Sequence, residues 1–114
     1  MDKRIAFLTE RMLSDIQQSH TVGELSKSVN LSVPHLLYLF KRETGMTLVQ
    51  YLRHLRLEKA RALLEDSFLQ IKQISFEVGL PDQSHFVRYF KEKNGLTPSE
   101  YRRRHWEKLE AEKS

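Results

Sequence analysis

The sequence predicts an all-α protein of about seven helices, arranged as two similar subdomains joined by a long central helix. Apolar residues recur at helical spacing along the chain, and no segment alternates with a two-residue period long enough to form a strand. The longest helical pattern covers residues 47–67. It is preceded by HLLYLFKRETGMT, and a similar string, HFVRYFKEKNGLT, follows it. A long helix therefore joins two copies of one unit.

Composition restricts the classes of function. The 114 residues are 39% hydrophobic and 30% charged, which is the balance of a globular protein rather than a disordered one. The chain has no cysteine, which excludes disulfides, thiol catalysis and Cys-ligated zinc. No apolar run approaches the roughly 18 residues that a membrane helix needs, and no secretion signal opens the chain, so we expect no membrane partner.

The charge distribution is compatible with a polyanionic partner. The net charge is +4 and the pI is near 9.5. Between Ser84 and Arg104, the acidic residues Glu92 and Glu100 are outnumbered by basic ones. The basic residues are Arg88, Lys91, Lys93, Arg102, Arg103 and Arg104. A hydrated surface without a ligand explains so small a net charge equally well, so the charge alone does not establish a polyanionic partner.

Residues that favour helix ends separate the predicted helices. The first helix is expected over residues 3–19. Ser, Thr and Asp side chains accept hydrogen bonds at helix starts, and Gly or Asn adopts the left-handed conformation at helix ends. The predicted starts are Thr21, Ser32, Thr47, Asp82 and Thr97, and the predicted ends are Asn30, Gly45, Gly79 and Gly95.

The central helix is predicted to bury one apolar stripe along its whole length. Thr47 and Gln50 form a capping box at its start, and no Gly or Pro interrupts it. The stripe consists of Leu48, Tyr51, Leu52, Leu55, Ala60, Leu63 and Leu64. These boundaries predict a first subdomain at residues 1–46, a linking helix at 47–67 and a second subdomain at 68–114, which together form one domain.

Seven residue types recur at a fixed offset of 50 positions. The pairs are His35 and His85, Phe40 and Phe90, Lys41 and Lys91, Gly45 and Gly95, Thr47 and Thr97, Tyr51 and Tyr101, and Arg53 and Arg103. Upstream the match continues one residue out of phase, which places one more residue in the turn of the second copy. Each copy is a short helix, a tight turn and a second helix.

A small residue and a turn residue occupy matching places in each copy. Ser26 is followed by Asn30, and Ser75 is followed by Gly79, four positions later in both cases. A small side chain lets the second helix cross closely over the first, and Asn or Gly tolerates the positive φ of a sharp turn. These are the requirements of a helix-turn-helix.

The second helix of each copy leaves several side chains outside the core. In the first copy they are Pro34, Tyr38 and Lys41. In the second they are Ser84, Arg88 and Lys91, with Gln83 and Val87 at the margins. Ser, Gln and Arg can hydrogen-bond base edges, and Arg with guanine is the commonest specific contact. An ordinary hydrated face explains Arg88 alone equally well, and the duplicated scaffold favours nucleic acid.

Two strings cover nearly the whole chain from Leu25 to Arg103. They read LSKSVNLSVPHLLYLFKRETGMTLVQYLRHLRLEKARALLEDS and IKQISFEVGLPDQSHFVRYFKEKNGLTPSEYRR. Together they resemble the DNA-binding domain of the AraC/XylS family of bacterial transcription regulators, and the second contains the family's most distinctive signature. The resemblance implies two helix-turn-helix subdomains whose recognition helices, about 33–44 and 83–94, enter successive major grooves of double-stranded DNA.

The same resemblance implies which side chains contact DNA. The base-reading candidates are Pro34, Leu37, Tyr38 and Lys41 in the first unit and Gln83, Ser84, Val87 and Arg88 in the second. The phosphate-contact candidates are Ser32, Arg42, His85, Lys91, Thr97 and Arg103, and Lys41 is also a candidate for this role. About 20 helical residues span roughly 30 Å, close to the ~34 Å of one DNA turn, so the central helix is expected to set the separation of the recognition helices.

Tyr38 departs from the family pattern, in which Arg is common at this position. With Pro34 and Leu37 beside it, the first recognition helix offers few hydrogen-bonding groups to bases. It can read thymine methyl groups, rely on phosphates or bind without strong preference. The second unit is therefore expected to carry more of the sequence specificity. Relatives often carry Ala at the positions of Ser26 and Ser75, a change that is expected to be structurally mild.

The sequence contains no recognisable motif for a metal, a nucleotide or catalysis. No two histidines form an HxxxH or HExxH pair. Neither a nucleophile elbow nor a glycine-rich phosphate loop occurs. We therefore predict no enzymatic activity, no metal and no cofactor. The triplet 102–104 (Arg-Arg-Arg) has two interpretations, contact with the phosphate backbone or solvation of the last helix.

The predicted function is sequence-specific binding of double-stranded DNA by a bacterial transcription regulator that is cytoplasmic and nucleoid-associated. The resemblance favours an activator. RNA polymerase and an N-terminal effector-binding or dimerisation domain outside this chain are further candidate partners. The alternative is a non-enzymatic helical interaction module that contacts RNA polymerase or another regulator domain.

Overall fold

The computed structural model describes residues 1–113, which form seven α-helices and no strand. The helices are α1 (Lys3–Ser14), α2 (Val22–Ser28), α3 (Val33–Thr44), α4 (Leu48–Asp66), α5 (Ile71–Glu77), α6 (Gln83–Asn94) and α7 (Pro98–Lys113). The predicted all-α fold is confirmed over these residues. The last position of the predicted 68–114 subdomain, Ser114, lies outside the described residues.

Two compact units divide the chain, and each has its own hydrophobic core. The first is Met1–Leu55 and the second begins at Arg56, so the boundary falls within α4. The first core is formed by Ile5, Leu8, Met12, Leu25, Leu36, Leu39, Phe40, Leu48 and Leu52. The second is formed by Leu57, Ala60, Leu64, Ile74, Val78, Phe86 and Phe90. The segment predicted as a linker, residues 47–67, thus supplies core residues to both units.

One aromatic contact occurs in both cores at the offset of the sequence repeat. The rings of Phe40 and Tyr51 meet edge to face with their centroids 5.3 Å apart. The rings of Phe90 and Tyr101 do the same at 5.5 Å. Edge-to-face pairs stabilise a core beyond the apolar area that they bury. The repetition in sequence is therefore also a repetition of packing.

The first helix is shorter than the predicted 3–19. It ends at Ser14, where the backbone N–H of Asp15 donates to the carbonyl of Arg11 and the chain leaves the helical conformation. Residues 15–17 form turns instead. Leu13, the last residue before Ser14, is 62% exposed. The buried side of α1 is formed by Ile5, Leu8 and Met12.

The single apolar stripe predicted along α4 is wrong in one respect. Leu57 was left out of the stripe, yet only 3% of its surface is exposed. Leu55 and Leu63, which were included, are only partly buried. The physical reason is that α4 contributes to two cores, so each half of the helix buries the positions that its own core requires.

Side chains cap five helix starts as predicted. The side-chain oxygens of Thr21, Ser32, Thr47, Asp82 and Thr97 each accept the backbone N–H three residues further on. The helices that follow Ser32 and Asp82 end at Gly45 and Gly95, whose φ angles are 77° and 80°. Because the caps fix both ends, the bounds of α3 and α6 coincide with the predicted 33–44 and 83–94.

The turn between α2 and α3 closes with a pair of backbone hydrogen bonds. The N–H of Leu31 donates to the carbonyl of Ser26 at 3.0 Å, and the N–H of Asn30 donates to that of Lys27 at 3.2 Å. This pair is the Schellman motif, which requires a left-handed residue at its centre. Asn30 supplies that residue with φ 57°.

The turn between α5 and α6 repeats this motif with one additional residue. The N–H of Leu80 donates to the carbonyl of Ser75 at 2.9 Å, and the N–H of Gly79 donates to that of Phe76 at 3.1 Å. Gly79 has φ 80°. Residues 79–81 separate the two helix caps, one residue more than in the first turn, as the offset in the repeat predicted.

The small residues of the two turns are buried where the helices of each unit pack together. Ser26 is 3% exposed and Ser75 is fully buried. The Ser26 hydroxyl donates to the carbonyl of Gly23 at 2.9 Å, whereas the Ser75 hydroxyl donates to the carbonyl of Leu80, across the turn. Both hydroxyls are therefore satisfied inside the protein, although by different partners.

A side chain of α7 caps the C-terminal end of α4. The guanidinium of Arg102 donates to four carbonyl oxygens at distances of 2.6–3.4 Å. These belong to Leu63, Leu64, Ser67 and Leu69. The last carbonyls of a helix have no partner within it, and a cation is favourable at that end. Arg102 therefore stabilises the fold, while Arg103 and Arg104 are exposed.

Glu65 connects the same two helices. Its carboxylate accepts the Tyr101 hydroxyl at 3.0 Å, and its backbone carbonyl accepts the Trp106 ring N–H at 3.3 Å. Burial raises the pKa of the Tyr101 phenol, and the hydrogen bond to Glu65 raises it further. Tyr101 therefore remains a hydrogen-bond donor at neutral pH.

Replacement of Ser75 tests the requirement for a small residue between α5 and α6. Ser75→Leu is expected to lower the free energy of unfolding by about 1–3 kcal/mol or more, because the added atoms have no space at a fully buried position. Ser75→Ala keeps the size and is the matched control. Urea unfolding followed by circular dichroism gives both values. Equal stability of the two variants would contradict this explanation.

Removal of the Arg102 guanidinium tests the cap on α4. Arg102→Ala is expected to lower the free energy of unfolding by about 2–3 kcal/mol, because charged donors make strong hydrogen bonds and the part-buried carbonyls of Leu64, Ser67 and Leu69 lose this donor. The neighbouring exposed residue provides the control, and Arg103→Ala is expected to change stability by less than about 0.5 kcal/mol. Thermal unfolding of the two variants makes the comparison. If both unfold like the parent chain, the cap contributes nothing.

Candidate nucleic-acid interface

The outer face of α3 is exposed and largely apolar. Tyr38 is 65% exposed and Leu37 is 42% exposed. Pro34 and Lys41 are also exposed. The opposite side of the helix is fixed in the first core by Leu36, Leu39 and Phe40. The packing of the unit thus leaves all four base-reading candidates of the first unit on the solvent side of α3.

The corresponding face of α6 is polar. Gln83, Ser84 and Arg88 are exposed, and Val87 is partly buried. The Arg88 guanidinium lies over the ring of Tyr89, 5.2 Å from its centroid. A cation over an aromatic face is attracted by the ring quadrupole. The buried side of α6, formed by Phe86 and Phe90, holds this face outward.

Val33 belongs to the α3 face but was not among the predicted candidates. It is the first residue of α3 and is 37% exposed. Its partner at the offset of 50 is Gln83, which was predicted to read bases. Applying the offset of the repeat to every candidate would have identified Val33 from the sequence.

An apolar groove of about 660 Å³ borders the α3 face. It is lined by Leu37, Tyr38, Lys41, Arg42, Thr47 and Leu48. The two cations of this groove, Lys41 and Arg42, can attract phosphate. The groove therefore brings predicted base-reading and phosphate-binding residues of the first unit into one continuous surface.

The caps before the two recognition helices differ in charge. The Ser32 hydroxyl accepts the backbone N–H of His35 at 3.3 Å and retains a proton that it can donate to a phosphate. Asp82 occupies the equivalent place, and its carboxylate accepts the backbone N–H of His85 at 3.0 Å. The His85 ring lies 3.8 Å from the same carboxylate. A phosphate is thus electrostatically favoured at the start of α3 over the start of α6.

The starts of α4 and α7 show the same difference. Thr47 and Gln50 form a reciprocal capping box, with both hydrogen bonds at 3.1 Å. Thr97 and Glu100 form the equivalent box at 3.0 and 3.2 Å. The backbone N–H of Thr97 lowers the pKa of Glu100, and the Thr97 hydroxyl lowers it further. Glu100 therefore stays ionised and disfavours a phosphate beside Thr97, whereas Gln50 is neutral.

The basic side chains near the recognition helices are also unequal. Lys41 and Arg42 are both exposed at the C-terminal end of α3. In α6, Lys91 is exposed, but the partner of Arg42 in the repeat is Glu92. The Lys93 ammonium lies 3.4 Å from the Glu58 carboxylate in an ion pair. The cations of α3, Lys41 and Arg42, are thus adjacent at its C-terminal end, whereas those of α6 are spread along the helix with Glu92 between Lys91 and Lys93.

The described part of the chain shows no arrangement for a metal or a membrane span. Within residues 1–113, no group of three or more His, Asp or Glu side chains could hold a metal ion. Over the same residues, no helix is long and apolar enough to cross a membrane.

Comparison with known proteins identifies the family. The helix-turn-helix domain family matches residues 25–104. The chain is 34% identical over 84 residues to the uncharacterised HTH-type transcriptional regulator YpdC of Escherichia coli. The matched region is 74% of this chain and 30% of YpdC. It is 34% identical over 95 residues to the HTH-type transcriptional activator RhaR of the same species. Here the matched region is 83% of this chain and 34% of RhaR. The chain spans about a third of the length of these relatives.

Solved structures share the fold of this chain. The C-terminal domain of AraT, a response regulator from Geobacillus stearothermophilus, has a TM-score of 0.85 and 28% identity over 90% of this chain and 85% of that one. An AraC-type regulator from Chromobacterium violaceum has a TM-score of 0.83 and 26% identity, covering 90% and 92%. The DNA-binding domain of AdpA, solved with a target DNA, has a TM-score of 0.86 and 22% identity, covering 90% and 92%.

Two helix-turn-helix units with exposed second helices define the class, which is that of a DNA-binding domain. The chain belongs to the AraC-type helix-turn-helix family of transcription-regulator DNA-binding domains. This family is not a class of enzymes.

Proposed function

We propose that this chain binds double-stranded DNA sequence-specifically as the DNA-binding domain of a bacterial transcription regulator, with α3 and α6 in successive major grooves. The observation that supports this most directly is the repeated unit, in which the same turn and the same core contacts leave one face of the second helix exposed. An α-helix fits the major groove, and its N-terminal residues then reach base edges.

The proposed contacts divide into base reading and phosphate binding. Bases are read by Pro34, Leu37, Tyr38 and Lys41 of α3 and by Gln83, Ser84, Val87 and Arg88 of α6. Phosphates are bound by Ser32, Arg42, His85, Lys91, Thr97 and Arg103. Lys41, which precedes Arg42, is a candidate for both roles. Phosphate contacts fix the register of the protein on the duplex, and base contacts select the sequence. The ionised Glu100 makes Thr97 the weakest of the phosphate candidates.

The proposed biological role is activation of transcription in the bacterial cytoplasm, on nucleoid DNA. RhaR, which is 34% identical, is a transcriptional activator by name. Because this chain spans about a third of such relatives, an N-terminal effector-binding or dimerisation domain is a proposed partner, as is RNA polymerase.

Salt dependence tests DNA binding directly. Four of the phosphate-contact candidates are cations, Lys41, Arg42, Lys91 and Arg103, which gives an expected slope of log affinity against log salt of about −3.6. Binding to random duplex is then about 150-fold weaker at 200 mM than at 50 mM salt. Arg42→Ala is expected to reduce the slope by about 1, while Lys59→Ala, on an exposed part of α4, leaves it unchanged. Gel shifts measure both.

Absence of binding to duplex DNA at low salt would contradict the proposed function. It would instead favour the alternative of a helical interaction module that contacts RNA polymerase or another regulator domain.

The two recognition helices are expected to contribute unequally to base preference. Arg88→Ala removes a side chain that can pair bidentately with guanine, at a cost of about 1–3 kcal/mol in discrimination at one position. Tyr38→Ala removes mainly apolar contact and is expected to change preference less. Selection of bound duplexes from a random pool compares the parent and the two variants. A larger change with Tyr38→Ala would show that the assignment of specificity is reversed.

A further inference from the structure

We infer that α3 reads thymine through its 5-methyl group, so that the half-element facing the first unit is selected by apolar contact rather than by hydrogen bonds. This inference rests on the proposed function, since it concerns how the same helix recognises the DNA that it contacts. It assigns a base chemistry to one helix, and with it a specificity role to Leu37 and Tyr38.

The exposed face of α3 is apolar at each place where α6 is polar, except at position 41, where both helices carry a lysine. At the offset of 50, Val33 replaces Gln83, Pro34 replaces Ser84, and Tyr38 replaces Arg88. Leu37 and Val87 are apolar in both units. At 100° per residue the α3 positions 33, 34, 37, 38 and 41 fall within an arc of about 140°, so they present a single face. On that face the hydrogen-bonding groups are confined to the Tyr38 hydroxyl and the Lys41 ammonium.

The exposure of these side chains is large enough for direct contact. Tyr38 is 65% exposed, Leu37 is 42% exposed and Val33 is 37% exposed. Three large apolar side chains within the first two turns of a helix otherwise anchored in the core form an apolar patch, and such patches mark contact surfaces. The adjoining groove extends the patch to Leu48, with Lys41 and Arg42 beside it.

The major groove offers one apolar group for such a face to contact. Guanine, cytosine and adenine present donors and acceptors there, whereas thymine adds a methyl group that apolar side chains recognise. Apolar side chains placed against the polar edges of the other bases would leave those groups without hydrogen bonds, which is unfavourable. Lys41 and Arg42 contact phosphates and hold α3 in the groove. Contact with the methyl group and avoidance of unpaired polar base edges together favour thymine.

Deoxyuridine substitution isolates the methyl group. A preferred duplex is first obtained by selection from a random pool with the whole chain. The half-element that loses its preferences in the Arg88→Ala variant faces α6, and the other faces α3. Each thymine of the α3 half-element is then replaced by deoxyuridine, which lacks only the methyl group. Loss of one buried methyl is expected to weaken binding about fourfold. Fluorescence anisotropy measures the affinity.

A double-mutant cycle separates direct contact from a change in DNA shape. In the Leu37→Ala, Tyr38→Ala variant, the deoxyuridine effect is expected to fall below about 1.5-fold, because the side chains that contact the methyl are gone. Tyr38→Phe keeps the ring and is expected to retain the full effect. Both positions are exposed, so these variants fold, and circular dichroism verifies it. Arg88→Ala lowers the affinity but is expected to leave the fourfold effect intact.

Three results would overturn the inference while leaving DNA binding in place. The first is a selected site with base preferences only opposite α6, which would mean that α3 contacts phosphates alone. The second is equal binding of thymine and deoxyuridine duplexes. The third is an undiminished deoxyuridine effect in the double variant. Failure to recover any duplex at low salt contradicts the proposed function itself and is thereby distinguished from these results.

Discussion

The left-handed backbone conformation at Asn30 and Gly79 is the constraint on which each unit depends. It closes the Schellman motif that ends the first helix and turns the chain into the second. The turn brings the helices together at a buried serine, Ser26 or Ser75, where a larger side chain would not fit. Once this crossing is fixed, the core takes one side of α3 or α6 and the other side stays exposed. The exposed face is thus a product of the turn, and it is independent of which residues occupy it.

That independence explains how two copies of one scaffold carry different chemistry. The turn, the edge-to-face aromatic pair and the capping boxes recur in both units. The exposed positions do not, since the outer face of α3 is largely apolar and that of α6 is polar, and Glu92 of α6 stands in the place of Arg42 of α3. The nearby caps follow the same trend, with Ser32 and Gln50 neutral while Asp82 and Glu100 are acidic. The helix starts of the first unit are therefore the more favourable to phosphate, and base-specific hydrogen bonding is richer in the second unit.

Sequence reasoning predicted the features that depend on local physics. Caps and left-handed residues act within a few positions of themselves, so the bounds of α3 and α6 and the geometry of both turns followed from the residues alone. Features that depend on the two cores did not. The burial of Leu57 reflects the contribution of α4 to both cores, which a single periodic pattern cannot express. The cap by Arg102 joins residues more than thirty positions apart, which a local sequence pattern cannot link. The DNA-contact candidates came from the repeat and the family resemblance, and their roles remain predictions.

The Arg102 cap also has a consequence for the order in which the protein matures during synthesis. Each residue of the first core precedes the unit boundary at Leu55, so that core can assemble before the second half of the chain has left the ribosome. The carbonyls at the end of α4 acquire their charged partner only when α7 has been translated. A nascent chain stalled before residue 102 would therefore hold a complete first core, while the end of α4 would still lack its charged partner.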